Sequence, residues 1–215
     1  IISTGNEVVP VTATPGPGEV RDANSYLAGA FVTERGCRPV YFGIVRDERE
    51  ALKAAVSSAL DTCDVVLVSG GSSKDERDNT AAVVADLGEV LVHGVALAPG
   101  KPTIIGTARG RPVIGLPGHP ASTFVVLVAI VDHLLAAMRG TAVSRRTLSA
   151  RLKQNIPSTR GREDYVRVSV RDGEAVPIFG KSGLLNTLVQ SDGIVRVPAS
   201  SEGLEVGEEV EVILW

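Results

Sequence analysis

The segment Asp64-Val65-Val66-Leu67-Val68-Ser69 runs directly into Gly70-Gly71, and no other feature constrains the fold as strongly. Its apolar, mostly β-branched residues are contiguous instead of alternating with polar ones. That is the pattern of a strand buried on both faces, and such strands belong to parallel sheets covered by helices on each side. Helical patterns stand where those layers need them. A first helix starts at Asn24 or Ser25, carries Leu27, Phe31 and Val32 on one face and stops at Gly36. Residues 38–44 follow as a strand. Asp47 with Glu50 three positions on makes a capping-box-like start for a second helix, backed by the stripe Leu52, Ala55, Val56, Ala59 and Leu60. A third helix is predicted near residues 79–87, then short strands near 89–97, 103–106 and 112–116. A final helix over 121–138 is apolar on most sides and is expected to be buried.

After Gly140 the pattern changes to short alternating segments at 147–152, 165–171, 175–177, 193–198 and 208–214, separated by Gly, Pro and charged turns. Five short strands in this span predict a small β-barrel or sandwich as a second domain. The expected organisation is a three-layer α/β/α domain with a mainly parallel sheet over residues 1–143, followed by a β-barrel domain over 144–215. Ile1-Ile2-Ser3-Thr4-Gly5 reads as the end of a buried strand meeting a Gly turn, so the expectation is a chain truncated at its N-terminus. The net charge of -3, with both signs scattered over 215 residues, gives no basic stripe for a nucleic-acid backbone. No stretch reads as the roughly 20 apolar residues needed to cross a bilayer and no signal peptide leads the chain, so the expectation is a cytoplasmic protein with no membrane partner. The two cysteines, Cys37 and Cys63, have no metal-ligand spacing. They read as reduced core thiols, with a disulfide as the alternative.

The chemistry-bearing residues fall in the predicted connections. Gly70 and Gly71 lack Cβ and can turn backbone N–H groups toward an anion, with a helix N-terminus close behind; a tight connection is the plainer reading of the same residues. Asp75, Glu76 and Asp78 crowd the loop that follows. Hard oxygen donors so clustered suit Mg²⁺ bridging to phosphate, while a solvated loop with Asp78 as a helix cap would look the same. Glu7 lies just after the first predicted strand and Asp47 just after the second, which in a parallel sheet is the edge where Ser69 ends. Leu116-Pro117-Gly118-His119-Pro120 links a strand to the longest helix, with Pro120 suited to its first turn and Ser122 close behind. Its N–H groups would face the same edge, and His119 is either a ligand contact or an ordinary turn residue. Ala98-Pro99-Gly100-Lys101-Pro102 is rigid except at Gly100 and holds Lys101 as a cation, useful only if an anion binds nearby.

In order along the chain, Ser3-Thr4-Gly5-Asn6-Glu7, the stretch from Gly18 to Ser25, the stretch from Ser69 to Asp78, Pro99-Gly100-Lys101-Pro102 and Leu116-Pro117-Gly118-His119-Pro120 together resemble the molybdenum insertase family (molybdopterin molybdenumtransferases). The gephyrin E domain belongs to that group. Gly180-Lys181-Ser182-Gly183 and Ser191-Asp192-Gly193 are similar to its C-terminal barrel. The resemblance implies a molybdopterin-binding fold and a transferase that inserts molybdate into adenylylated molybdopterin with Mg²⁺, releasing AMP. By motif, Glu7, Asp47 and Asp78 match acids implicated in activity, with Glu7, Asp47, Asp75 and Asp78 as the metal-binding set. Thr4, Gly70, Gly71, Ser73, Lys101, Pro117, Gly118, His119, Pro120 and Ser122 are the substrate contacts. The family also implies a homodimer for the full-length protein. The sequence departs from the pattern at Asp75, where the family has a flexible Gly, and at His119, where it has Asn. A molybdopterin adenylyltransferase, or a gephyrin-like scaffold without catalysis, is the competing reading.

Overall fold

The computed structural model describes residues 1–70 and 79–215. They form two compact units: Ile1–Val95 with Gly100–Leu135, and Ala96–Pro99 with Ala136–Trp215. In chain order the elements are β1 (Ile2–Thr4), β2 (Val8–Val9), β3 (Val20–Arg21), α1 (Asn24–Glu34), β4 (Ile44–Val45), α2 (Arg49–Thr62), β5 (Val66–Ser69), α3 (Asn79–Leu87), β6 (Gly88–His93), β7 (Leu97–Ala98), β8 (Ile104–Ala108) and β9 (Arg111–Leu116). They continue with α4 (Pro120–Val126), a π-helical turn (Leu127–Val131), α5 (Asp132–Met138), β10 (Thr147–Leu152), β11 (Ile156–Pro157), β12 (Glu163–Arg171), β13 (Glu174–Pro177), α6 (Asn186–Val189), β14 (Gly193–Val197), β15 (Gly203–Leu204) and β16 (Glu209–Leu214).

The first unit is built on a sheet of order β4-β1-β5-β9-β8-β6. Its first four strands are parallel, while β8 runs antiparallel to β9 and β6 antiparallel to β8. One face packs Ile2, Val66, Val68 and Val113 against Leu52 and Val56 of α2 and Val83 and Val84 of α3, all essentially inaccessible to solvent. On the other side α1 and α4 meet through Phe31 and Phe124, edge to face with centroids 6.3 Å apart. Arg35 at the end of α1 reaches the Asp132 carboxylate at 2.7 Å and lies 3.4 Å over the Phe31 ring. The three-layer architecture and the mainly parallel sheet follow the sequence pattern.

The local departures have physical causes. Of the strand expected over 38–44 only Ile44 pairs as a ladder with β1, joined by Val45 beyond it, because Gly43 takes φ +80° and turns the backbone before them. The preceding residues still run beside β1 through Phe42 N–H to Ile1 O at 2.9 Å. The capping box at Asp47 does not form: α2 begins at Arg49 with Glu48 at its N-cap and no side-chain cap, and the Asp47 carboxylate is engaged elsewhere. The expected long helix is one continuous run, with its middle widened into the π-helical turn. At 19 residues, Pro120–Met138 is long and apolar enough to cross a membrane, contrary to the sequence expectation, but 61% of its most apolar window is buried, as in a core helix. Cys37 and Cys63 are free and only half-buried, not core thiols.

In the second unit β10, β16, β14, β12 and β13 close into a five-stranded barrel. All neighbours are antiparallel except β10 and β13, and β7 adds to β12 in parallel. Leu152, Val168, Val195, Val197 and Val212 fill it, the inward half of the alternation read from the sequence, and Ile156 of β11 packs with them.

Candidate functional site

The four parallel strands end nearly level. Ser3 pairs with Ile44 and with Ser69, and Ser69 with Leu116, so β1, β4, β5 and β9 release their connections along one edge. Because β8 is antiparallel to β9, with Ile104 opposite Gly115, the turn carrying Lys101 opens onto that edge too. Glu7, Asp47, Gly70, Lys101 and the Pro117–Pro120 turn therefore share one rim of the sheet, though they are spread over more than a hundred residues of sequence. Gly71, Ser73, Asp75 and Asp78 lie outside the described residues.

Four helices, α1, α2, α3 and α4, begin at this rim. Their first N–H groups and dipoles make it an electropositive border suited to an anion. Pro120 occupies the first turn of α4, and His119, at its N-cap, is extended (φ -80°, ψ 130°). The Thr123 N–H donates to His119 O at 2.9 Å and the Thr123 hydroxyl to Pro117 O, which fixes the turn. Gly118 and His119 are exposed, whereas Pro117 and Ser122 are buried.

Gly70 closes the rim beneath this turn. Its φ is +97°, its N–H donates to Leu116 O at 3.3 Å, and a Cβ there would sit 2.0 Å from the Thr4 carbonyl oxygen. Glycine is thus required by the connection itself, whatever the loop binds. The exposed Glu7 folds its carboxylate back over Gly5, where a Cβ would meet both carboxylate oxygens at 2.9 Å.

Two asparagines absent from the sequence-derived site join these loops. Asn24, buried at the start of α1, donates from Nδ2 to the Ser69 hydroxyl and to Gly118 O, each at 2.8 Å. It ties the end of β5 to the proline turn. Asn79, at the start of α3, donates from Nδ2 to Asp47 Oδ1 at 2.8 Å and to Asp47 O at 3.2 Å. The neighbouring Thr80 hydroxyl donates to Gly70 O at 3.3 Å. The sequence marked Asn24 only as a helix start inside a family motif; for Asn79 it carried no sign beyond its place after the acidic loop.

The rim also holds buried oxygens without partners. Among the described residues Ser3 Oγ, Thr4 Oγ1 and Asn24 Oδ1 find no hydrogen-bond partner, although Ser3 and Thr4 are 2% and 1% exposed. Polar atoms left dry in this way are costly unless a ligand or water meets them. Among the described residues no three Asp, Glu, His or Cys side chains gather as a metal site; Glu7 and Asp47 are the described members of the expected set.

The comparisons with known proteins match two families in succession along the chain. Residues 1–137 match the family described as "Probable molybdopterin binding domain", and residues 149–215 match the MoeA C-terminal region, domain IV. A MoeA molybdopterin biosynthesis protein from Pyrococcus horikoshii superposes with a TM-score of 0.88 at 41% identity, over 99% of this chain and 53% of its own. A Methanocaldococcus jannaschii protein named for molybdopterin biosynthesis is 36% identical over 100% of this chain and 54% of its length. A molybdopterin molybdenumtransferase from Nostoc is 30% identical over 99% and 52%. The chain thus spans about half the length of the curated relatives it matches.

Proposed function

Because this chain belongs to the molybdopterin-binding domain family and carries a MoeA C-terminal region after that domain, we propose that it is the part of a molybdopterin molybdenumtransferase that binds adenylylated molybdopterin and directs Mg²⁺-dependent insertion of molybdate with release of AMP. The observation that carries the proposal is the shared rim, where Glu7, Asp47, Gly70, Lys101 and the Pro117–Pro120 turn meet four helix N-termini. The match to the MoeA region over residues 149–215 favours this reading over an adenylyltransferase.

Magnesium fits the donor chemistry of the rim, since Glu7 and Asp47 offer hard carboxylate oxygens of the kind it prefers. They would hold it together with Asp75 and Asp78 of the loop outside the described residues. Bound there it would supply neutralisation of charge on the phosphate anhydride. The remaining work falls to the chain. The exposed Gly118–His119 turn and the α4 N-terminus would meet an oxyanion, and Lys101 adds a cation on the same rim. Asn24 holds the two loops at a fixed separation, so these donors are oriented before the anion arrives.

Calorimetric titration of the chain with adenylylated molybdopterin, with and without Mg²⁺ and molybdate, while AMP is assayed in the same samples, tests the proposal. Binding with molybdate-stimulated AMP release is the expected result. Failure of the nucleotide to bind would overturn it.

A further inference from the structure

We propose that Asn79 is a positioning residue for the Asp47 carboxylate, holding one oxygen so that the other is presented to a divalent cation. The inference rests on the reading of Asp47 as a cation ligand given above. One carboxamide nitrogen grips Asp47 twice, at side-chain Oδ1 (2.8 Å) and main-chain O (3.2 Å). Both partners are acceptors, so only the NH₂ end of Asn79 can face them. The Asp47 N–H in turn donates to Asn6 Oδ1 at 3.2 Å. Three of the four polar atoms of Asp47 are therefore held from two sides, and among the described residues only Oδ2 is left without a hydrogen bond.

The choice of a carboxamide has an electrostatic consequence. An Arg or Lys in its place would fix the carboxylate equally well but would neutralise it, and a cation would then meet a compensated pair. A neutral donor orients Asp47 and leaves its negative charge intact. Helix capping does not account for the arrangement, because a capping asparagine accepts N–H groups of its own helix through its carbonyl oxygen. Asn79 donates across to another connection. It is also well anchored, since the adjacent Thr80 is buried and bonds Gly70 O. Partners that orient a ligating group in this way contribute about ten- to a hundredfold to metal affinity.

The test is Mn²⁺ binding, followed by electron paramagnetic resonance as a stand-in for Mg²⁺, to the unaltered chain, to Asn79→Ala, to Asp47→Ala and to the double variant. Thermal unfolding without metal serves as a control for folding. The expected result is that Asp47→Ala weakens Mn²⁺ binding, that Asn79→Ala alone weakens it about tenfold, and that Asn79→Ala adds nothing once Asp47 is gone. A loss at Asp47→Ala with Asn79→Ala unchanged would refute the role of Asn79 and leave the proposed function standing. An equal loss from Asn79→Ala with or without Asp47 would make Asn79 a structural residue of α3 and also overturn the inference. Mn²⁺ binding that ignores Asp47→Ala, or is absent from the unaltered chain, would remove the cation-ligand reading and the inference together.

Discussion

Asn24 offers the sharpest test of how the rim is held, because a substitution that deletes its amide and one that keeps its shape but not its donor should behave differently. Asn24→Ala removes two hydrogen bonds of 2.8 Å, one to the buried Ser69 hydroxyl and one to the exposed Gly118 carbonyl. Each contributes roughly 1 kcal/mol net, and water can replace only the second. Against this, alanine removes the partnerless Asn24 Oδ1, whose burial itself costs about 1 kcal/mol or more. The net loss should be about 1 kcal/mol. Asn24→Asp keeps the shape but exchanges the donor for a carboxylate oxygen. The Ser69 hydroxyl can rotate and donate to it, but Gly118 O cannot, so an acceptor faces an acceptor at the part-buried Gly118 end. Placing that charge and losing that bond should cost about 3 kcal/mol, reduced by about 0.5 kcal/mol because a carboxylate at the start of α1 is favoured by the helix dipole. Urea unfolding of the two variants measures the difference. Aspartate should be the more destabilising by more than about 1 kcal/mol, and alanine equal to or worse than aspartate would refute the bridging role assigned to the amide.

Gly70→Ala should destabilise the first unit by about 3 kcal/mol, since it adds both left-handed strain and a contact of 2.0 Å with Thr4 O; a loss below about 1 kcal/mol in urea unfolding would mean that the connection yields easily. In the barrel, hydrogen bonding from Arg196 holds the Glu163 carboxyl below its ordinary range. A folded-state pKa lowered in this way contributes stability above the unfolded value, near 4.3, and loses it as pH falls through the folded value. Glu163→Gln should therefore cost at most about 1 kcal/mol at pH 7 for this partly exposed pair, and the difference from the unaltered chain should vanish in acid; a difference that persists at pH 2 to 3 would contradict the ion-pair origin.

The fold was legible wherever burial imposed a period. The continuous run ending at Ser69 became a strand buried along its whole length, and alternation after Gly140 located each strand of the barrel proper. The stripe Leu52, Val56, Ala59 and Leu60 became the buried face of α2. Reading failed where one residue's backbone outweighed the pattern. Gly43 curtailed the ladder of an otherwise strand-like segment, and the pairs β11–β15 and β2–β3 are too short to show any period. The helix read over 121–138 and expected to be buried formed as Pro120–Met138, and what its apolarity did not show was the π-helical turn in its middle.

The site divides along the same line. Once β1, β4, β5 and β9 are parallel, their C-terminal connections must share an edge, so the placement of Glu7, Asp47, Gly70 and Pro117 needs no knowledge of side chains. The groups that join those connections carry no local mark. Asn24 reaches 45 and 94 residues along the chain, and Asn79 reaches 32. An asparagine at a helix start reads as a cap because the local competitor for its side chain is its own helix; only tertiary packing shows that both instead donate outward. Their neutrality is what links this to function. Charged residues in these positions would have joined the same loops, but they would have altered the field at the rim. With carboxamides as the joints, the field is left to Glu7, Asp47, Lys101 and the helix N-termini, the groups that an anion and its counter-cation would meet.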